Sequence, residues 1–442
     1  MSVGYNLHDT ILKPQEDATV KPGMVEKWEK VDDLTWKFTL VKGATFHNGE
    51  PINSAAVKFS FERLMSDALK SPHKGKLTLF KGVEVVDDLN FKIATSQPYA
   101  PGLYMLAQYL FVVPPEYVKK VGDAEYNLNP VGSGPYKLDK WVKGQEIIMS
   151  AYDKYYGPKP AYQKLVFKGV PEEASRIASL LTGEADVISG VPVHQRKKVL
   201  DSGKAYLTDQ MGSMNYLGLN TYEKPFSDVR VRQAVNHAVN RPLINKALFN
   251  DKAILCAGPI SPRTFGADPG LKPYAYDPAK AKQLLAEAGY PNGFEMRLAF
   301  GTYMPQVQEQ AEAIAADLAK VGIKVTLEPW ERAVQWDRYK NKLHQTYIYF
   351  WDDAPEPDRY VYSLFHSKSR DYYYKNEQVD ALLDKGRITM DPAARAKVYN
   401  EIDRFLYQDA PWIYLYVIPE VYGVANSVDY KGLRDGGLIM TT

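Results

Sequence analysis

The sequence predicts an α/β protein of two or three domains, and three observations carry that reading. The chain has 442 residues, enough for more than one substantial core. Its early part alternates apolar and polar residues at strand period, and near residue 130 the grain changes to strands interleaved with helices. Further on, the helical pattern in "PQVQEQAEAIAADLAKVGIKVTLEPW" runs directly into a strand, the helix–strand step of an α/β layer.

The elements follow in order. The segments "VDDLTWKF" (Val31–Phe38) and "VDDLNFKI" (Val86–Ile93) echo each other, each a turn followed by alternation. Leu34, Trp36, Phe38 and Leu40 face one way while Thr35, Lys37 and Thr39 face the other, which predicts two strands of one half-exposed antiparallel sheet. Two copies are too few for a solenoid. Between them, "NSAAVKFSFERLMS" places Asn53 or Ser54 as a helix N-cap, with Val57, Phe61 and Leu64 at helical spacing. After "NPVGSGPYKLDKW", the strands "QEIIMSAY" and "QKLVFKGV" alternate with helices such as "PEEASRIASLLTGEA". Asp277 caps a helix whose first position is Pro278, whose stripe is Leu284, Leu285 and Ala288, and which Gly289 stops. Val307, Ala311, Ile314, Ala315 and Leu318 form the apolar face of the next helix. The helix "AARAKVYNEIDRFLYQDAP" ends just before "WIYLYVI", a buried strand.

Composition narrows the function. Hydrophobic residues make up 45% and charged residues 24%, which is globular rather than disordered. The formal charge of +2 gives no reason to expect nucleic acid or a membrane surface. With 32 Tyr and 7 Trp, the chain offers many surfaces that are apolar on the ring and hydrogen-bonding at the tip, as ligand clefts and core edges both require. Cys256 is the one cysteine, so the chain forms no internal disulfide and no cysteine metal cluster, and a small buried apolar role is expected for it. No apolar run approaches the ~20 residues of a membrane span. The opening "MSVGYNLHDTILKPQED" lacks the pattern of a secretion signal, which read literally describes a cytosolic chain.

Catalytic and cofactor motifs fail in turn. "VGSGPY" lacks the Lys-Ser/Thr of a phosphate loop, and it fails the nucleophile elbow because Gly132 and Gly134 flank Ser133 directly. The histidines have no metal-ligand spacing, so His47, His237 and His366 are expected in solvated or structural roles. The stretch "FWDDAPEPDRY" holds Asp352, Asp353, Glu356 and Asp358 after the strand-like "QTYIY". It has neither the glycine nor the spacing of a calcium loop. A glycosidase-like acid pair, a clamp for a cation, and a solvated acidic loop stiffened by Pro355 and Pro357 remain open for it.

Several stretches together resemble the extracytoplasmic solute-binding proteins of peptide/nickel-type ABC importers, family 5, the group that contains oligopeptide- and dipeptide-binding proteins. They are "PGMVEKWEKVDDLTWKFTLVKGATFHNGEPINSAAVKFSFERL", "NPVGSGPYKLDKW", "EEASRIASLLTGEADVI", "NYLGLNTYEKPFSDVRVRQAVNHAVNR", "AKQLLAEAGYPNGFE" and "APWIYLYVIPEVYGV". They occur in family order and cover nearly the whole chain.

The resemblance implies a two-lobed periplasmic-binding-protein fold with an accessory subdomain and two crossing segments at the hinge. The first lobe would comprise residues 1–20, 131–240 and 418–442, the accessory subdomain residues 21–130, and the second lobe residues 241–417. The crossings would fall near Tyr222–Arg241 and Trp412–Glu420. By the same resemblance, Trp351 walls the ligand and Asp353, or Asp352 in its place, meets a peptide's α-ammonium. Asn220 and Tyr216 in "NYLGLN", and Ser133 in "GSGPY", are further ligand-binding candidates. The strand "TYIYF" carries no arginine for a peptide carboxylate. The family's opening strand and Leu-Asp-Pro segment are missing ahead of "YNLHDTIL", as is an export signal, so the natural protein is expected to begin earlier.

The implied function is non-catalytic. A small peptide or other amine-bearing solute would be enclosed between the lobes of a monomer outside the cytoplasm, without cofactor or metal, and delivered to a membrane permease. The alternatives are a nickel chelate, an opine or an oligosaccharide in the same fold, or a hydrolase using the carboxylates of "WDDAPEPD".

Overall fold

The computed structural model describes residues 2–209, 212–369 and 373–430, which form five sheets. The echoing segments lie side by side in an antiparallel four-stranded sheet, Thr35–Leu40 pairing with Asn90–Thr95 so that Trp36 faces Ile93 and Phe38 faces Phe91. Burial alternates residue by residue along both strands, as a sheet with one wet face requires. The Phe38 and Phe91 rings stack at 5.1 Å on the dry side. The helix Ser54–Met65 covers that side through Val57 and Phe61, and the Asn53 side chain caps it by accepting from the Ala56 N–H. Ile11 and Leu12, expected in the first lobe, pack into this accessory core as well.

Two three-stranded sheets build the rest of the first lobe. One joins Tyr136–Val142, Glu146–Ala151 and Lys164–Lys168, and the other sets Val421–Ala425 between Val187–Ile188 and Ala205–Asp209. The second lobe is organised on a six-stranded mixed sheet. Its order is Ile254–Leu255, Trp412–Ile418, Ser213–Leu219, Thr346–Asp352, Glu295–Gly301 and Lys324–Trp330. Glu295–Gly301 and Lys324–Trp330 run parallel, joined by the helix Val307–Ala319. One face of the sheet presents Leu217, Ile348 and Ile413 to the helices Val229–Ala238 and Val307–Ala319. The opposite face presents Tyr216, Tyr347 and Tyr414 to the helices Val361–Phe365 and Pro392–Asp409. Cys256 is buried among these rings, as a small apolar residue would be.

This sheet moves the expected first crossing. Ser213–Leu219 and the helix Val229–Ala238, expected in the first lobe, belong to the second. The chain passes between the lobes from Asp209 to Ser213 rather than near Tyr222–Arg241, and again from Ile418 to Val421. The reason is physical. Ser213–Leu219 is a central strand, buried along nearly its whole length, so its sequence carries no alternation to say which sheet receives it.

The two passages touch. Asp209 pairs with Val421 on one side and Ser213 with Ile418 on the other. At Gly212 a Cβ would lie 2.2 Å from the Ile418 carbonyl oxygen, so only glycine fits, and the Gly212 carbonyl accepts the Asp353 N–H at 3.0 Å.

Candidate functional site

The strand Thr346–Asp352 alternates Tyr347, Tyr349 and Trp351 on its aromatic face. The Tyr349 ring stacks on Tyr339 at 5.3 Å, and Trp351, half-buried, packs at the edge of the same cluster. Beyond the strand the chain turns through Ala354 and Pro355 into the short helical turn Pro357–Arg359, which Glu356 caps by accepting the Asp358 N–H at 2.9 Å.

All four acids of this segment are matched to arginines. Asp352 pairs with Arg359 at 3.0 Å, and Asp353 with Arg263 at 2.9 Å. Glu356 takes a two-pronged grip from Arg395 at 2.5 and 2.9 Å, and Asp358 takes one from Arg387 at 2.7 and 3.1 Å. Asp353, Glu356 and Asp358 are buried, which excludes the solvated acidic loop. Asp352 differs, because 42% of its side chain is exposed.

The segment also meets the first lobe. The Tyr99 hydroxyl donates to Asp358 at 3.2 Å, and Lys76 Nζ donates to the Arg359 carbonyl at 2.7 Å. Arg359 lies within electrostatic reach of the hydroxyls of Tyr109, Tyr104 and Tyr5 in the first lobe. Burial works against its charge, but these hydroxyls and the Asp352 carboxylate outweigh it and raise its pKa. The seam between the lobes is therefore polar and aromatic, with an Asp–Arg pair in it.

The sequence candidates fall in different places. Trp351 and Asp352 lie at the end of the strand that reaches the seam. Asp353 is one residue on, fully buried and turned into the second lobe toward Arg263. Tyr216 is a core ring, stacked on Trp412 at 3.6 Å with Tyr347 edge-on. The Asn220 side chain accepts the Tyr222 N–H at 3.2 Å and shapes a turn. Ser133 is buried in the first lobe, where its Oγ accepts the Asp9 N–H at 3.0 Å. His47 holds the same loop, with one ring nitrogen 2.9 Å from the Gly134 carbonyl oxygen.

Sequence reasoning missed Arg359, Tyr99, Tyr109 and Lys76. A signal for the first was present: four acids in a segment that cannot all stay solvated need counterions, and Arg359 lies among them.

The model of the bacterial extracellular solute-binding proteins, family 5, matches residues 19–372. The dipeptide-binding protein of Escherichia coli K12 is 32% identical over 427 residues, covering 89% of this chain and 80% of that protein. Heme-binding protein A of Haemophilus influenzae is 31% identical, covering 89% of this chain and 78% of that protein. Among solved structures, the ABC transporter-associated periplasmic binding protein DppA of Helicobacter pylori, in complex with the peptide STSA, superimposes with a TM-score of 0.84 at 27% identity. That match covers 99% of this chain and 93% of the other. With its two lobes, its doubled crossing and this likeness along nearly its whole length, the chain belongs to the bacterial extracellular solute-binding proteins of family 5, the substrate-binding components of ABC importers.

Proposed function

We propose that the chain captures a small peptide or another amine-bearing solute between its lobes and hands it to an ABC permease, as a monomer outside the cytoplasm and without catalysis. The observation that carries this reading is the seam at Asp352. It is the exposed acid of the four, it stands beside the Trp351 wall, and its partner Arg359 reaches the other lobe. The burial of Asp353 supports Asp352 as the partner of the solute's ammonium. All four acids are engaged by arginines, which supports binding over hydrolysis, since a general acid or nucleophile must be available to the substrate. The similarity to a heme-binding protein supports including non-peptide solutes in any screen.

Thermal melting against short peptides and their N-acetylated forms tests this. At one hundred times its dissociation constant a bound peptide stabilises the protein by ~2.7 kcal/mol, and solution scattering should report compaction. The Asp352→Asn variant should lose the preference for a free amine. If no peptide, amine, chelate or sugar shifts melting, the reading is wrong.

A further inference from the structure

We propose that the accessory subdomain is a latch on the second lobe: it holds the molecule shut through contacts of its own, so that part of the affinity for any solute comes from the protein closing on itself. This goes beyond the function proposed above, because it does not depend on which solute is enclosed.

Three hydrogen bonds carry it. The Tyr99 hydroxyl donates to Asp358 at 3.2 Å, Lys76 Nζ to the Arg359 carbonyl at 2.7 Å, and the Ala100 N–H to the Arg387 carbonyl at 2.7 Å. All three donors leave one end of the four-stranded accessory sheet, where Phe80 pairs with Thr95 and the Ser96 N–H donates to the Leu79 carbonyl at 2.8 Å. Tyr99 packs edge-on against Phe80 at 5.8 Å within the accessory core, so its hydroxyl is held in place by the first lobe alone. The second lobe is ordered to match. Arg387 grips Asp358 with both prongs, and its guanidinium lies over the Tyr99 ring at 5.7 Å. Met390, just beyond the helix Glu377–Ile388, packs against the accessory core and completes the contact.

The chemistry of these contacts separates a latch from a solute site. Two of the three acceptors are main-chain carbonyls, and the third, Asp358, already has its arginine, so none of them waits for a charge from the solute. Groups fixed by their own lobes also lose little freedom on meeting. Each such bond shifts a two-state equilibrium by roughly twofold to tenfold, and together they populate the closed form of the solute-free protein. With the closed form as the tight-binding state, the apparent dissociation constant is the intrinsic one divided by the closed fraction. The latch therefore sets one common factor in the affinity for every solute, while the residues at Trp351 and Asp352 set the preference among them.

Solution scattering of the solute-free protein tests this without knowledge of the solute. Tyr99→Phe combined with Lys76→Met removes two of the three bonds and leaves the Asp358–Arg387 pair in place. It should move the closed-to-open ratio roughly tenfold or more toward open, read as a larger radius of gyration than that of the wild type. Lys92→Met, on the wet face of the same sheet, should scatter as the wild type does. Should the double variant lose the circular dichroism of the wild type, the two single variants carry the test, each giving part of the same expansion. Calorimetry with tri-alanine and its C-terminal amide is the second arm. The double variant should bind both about fivefold or more weakly, with the ratio between them unchanged. Scattering identical to that of the wild type overturns the proposal. So does a change of more than about threefold in the ratio between the two peptides, which would make Tyr99 or Lys76 a solute contact. If neither peptide binds the wild type, the amine-bearing reading suffers and the scattering still decides the latch.

Discussion

Asp352 and Asp353 are neighbours in sequence, and each contacts an arginine at close to the same distance, 3.0 and 2.9 Å. Their burial is inverted. At Asp352 the carboxylate is 42% exposed and its arginine 6%, whereas at Asp353 the carboxylate is fully buried and its arginine 23% exposed. The first pair lies within the second lobe where it faces first-lobe tyrosines, and the second ties a loop of the second lobe to the strand end beside the hinge. One step along a strand turns a side chain to the opposite face, and here that step separates a charge available to a solute from one committed to the fold. Identical chemistry should therefore respond differently to the same substitution.

The largest effect is expected at the buried pair. Arg263→Met leaves the Asp353 carboxylate enclosed without a cation and should cost about 3–5 kcal/mol in urea denaturation, whereas the double change Arg263→Met with Asp353→Leu should recover most of that loss. An equal loss in the double variant would show that the pair is worth more than its burial costs.

A third acid sharpens the contrast. Among the described residues no arginine pairs with the buried Asp403, which accepts long contacts from the Ile260 and Asp268 N–H groups at 3.3 and 3.4 Å. Burial pushes its carboxyl from 3.8 up to about 7. The folded state therefore holds this proton after the unfolded chain has released it, and the contribution of Asp403 to stability falls as pH rises from about 4 to about 7. Relative to wild type, Asp403→Asn should gain up to ~4 kcal/mol across that window, read as urea midpoints at acidic and neutral pH. A constant difference between the two proteins would contradict this.

Smaller effects belong to the exposed pair and its neighbour. Trp351→Ala should weaken solute binding by ~2 kcal/mol with little change in the melting of the free protein. Asp352→Asn should cost only ~1 kcal/mol or less in stability by urea denaturation, since its carboxylate already faces solvent. A stability loss as large as that of Arg263→Met would erase the distinction between the two pairs.

Much of the fold was legible because its segments are wet on one side. The echoing strands, the helix capped by Asn53 and the helix opened by Asp277 and Pro278 announce themselves through alternation or capping chemistry, and each forms. Ser213–Leu219 did not announce its lobe, because a strand buried on both faces has no polar side to orient it. The site was legible as a place but not as a set of contacts. Trp351 and the acids mark the segment, yet Arg263, Arg387 and Arg395 lie 90, 29 and 39 positions from the carboxylates they hold, and only the tertiary fold brings them together. Tyr216 looks like a cleft residue for the same reason that it is a core residue: an aromatic ring suits both.

The doubled passage between the lobes has a mechanical consequence. With Asp209 laddered to Val421 and Ser213 to Ile418, the connection behaves as a narrow ribbon, which flexes readily across its flat side and stiffly in its own plane. Bending about these paired residues is the motion such a connection favours, a change in the angle between the halves.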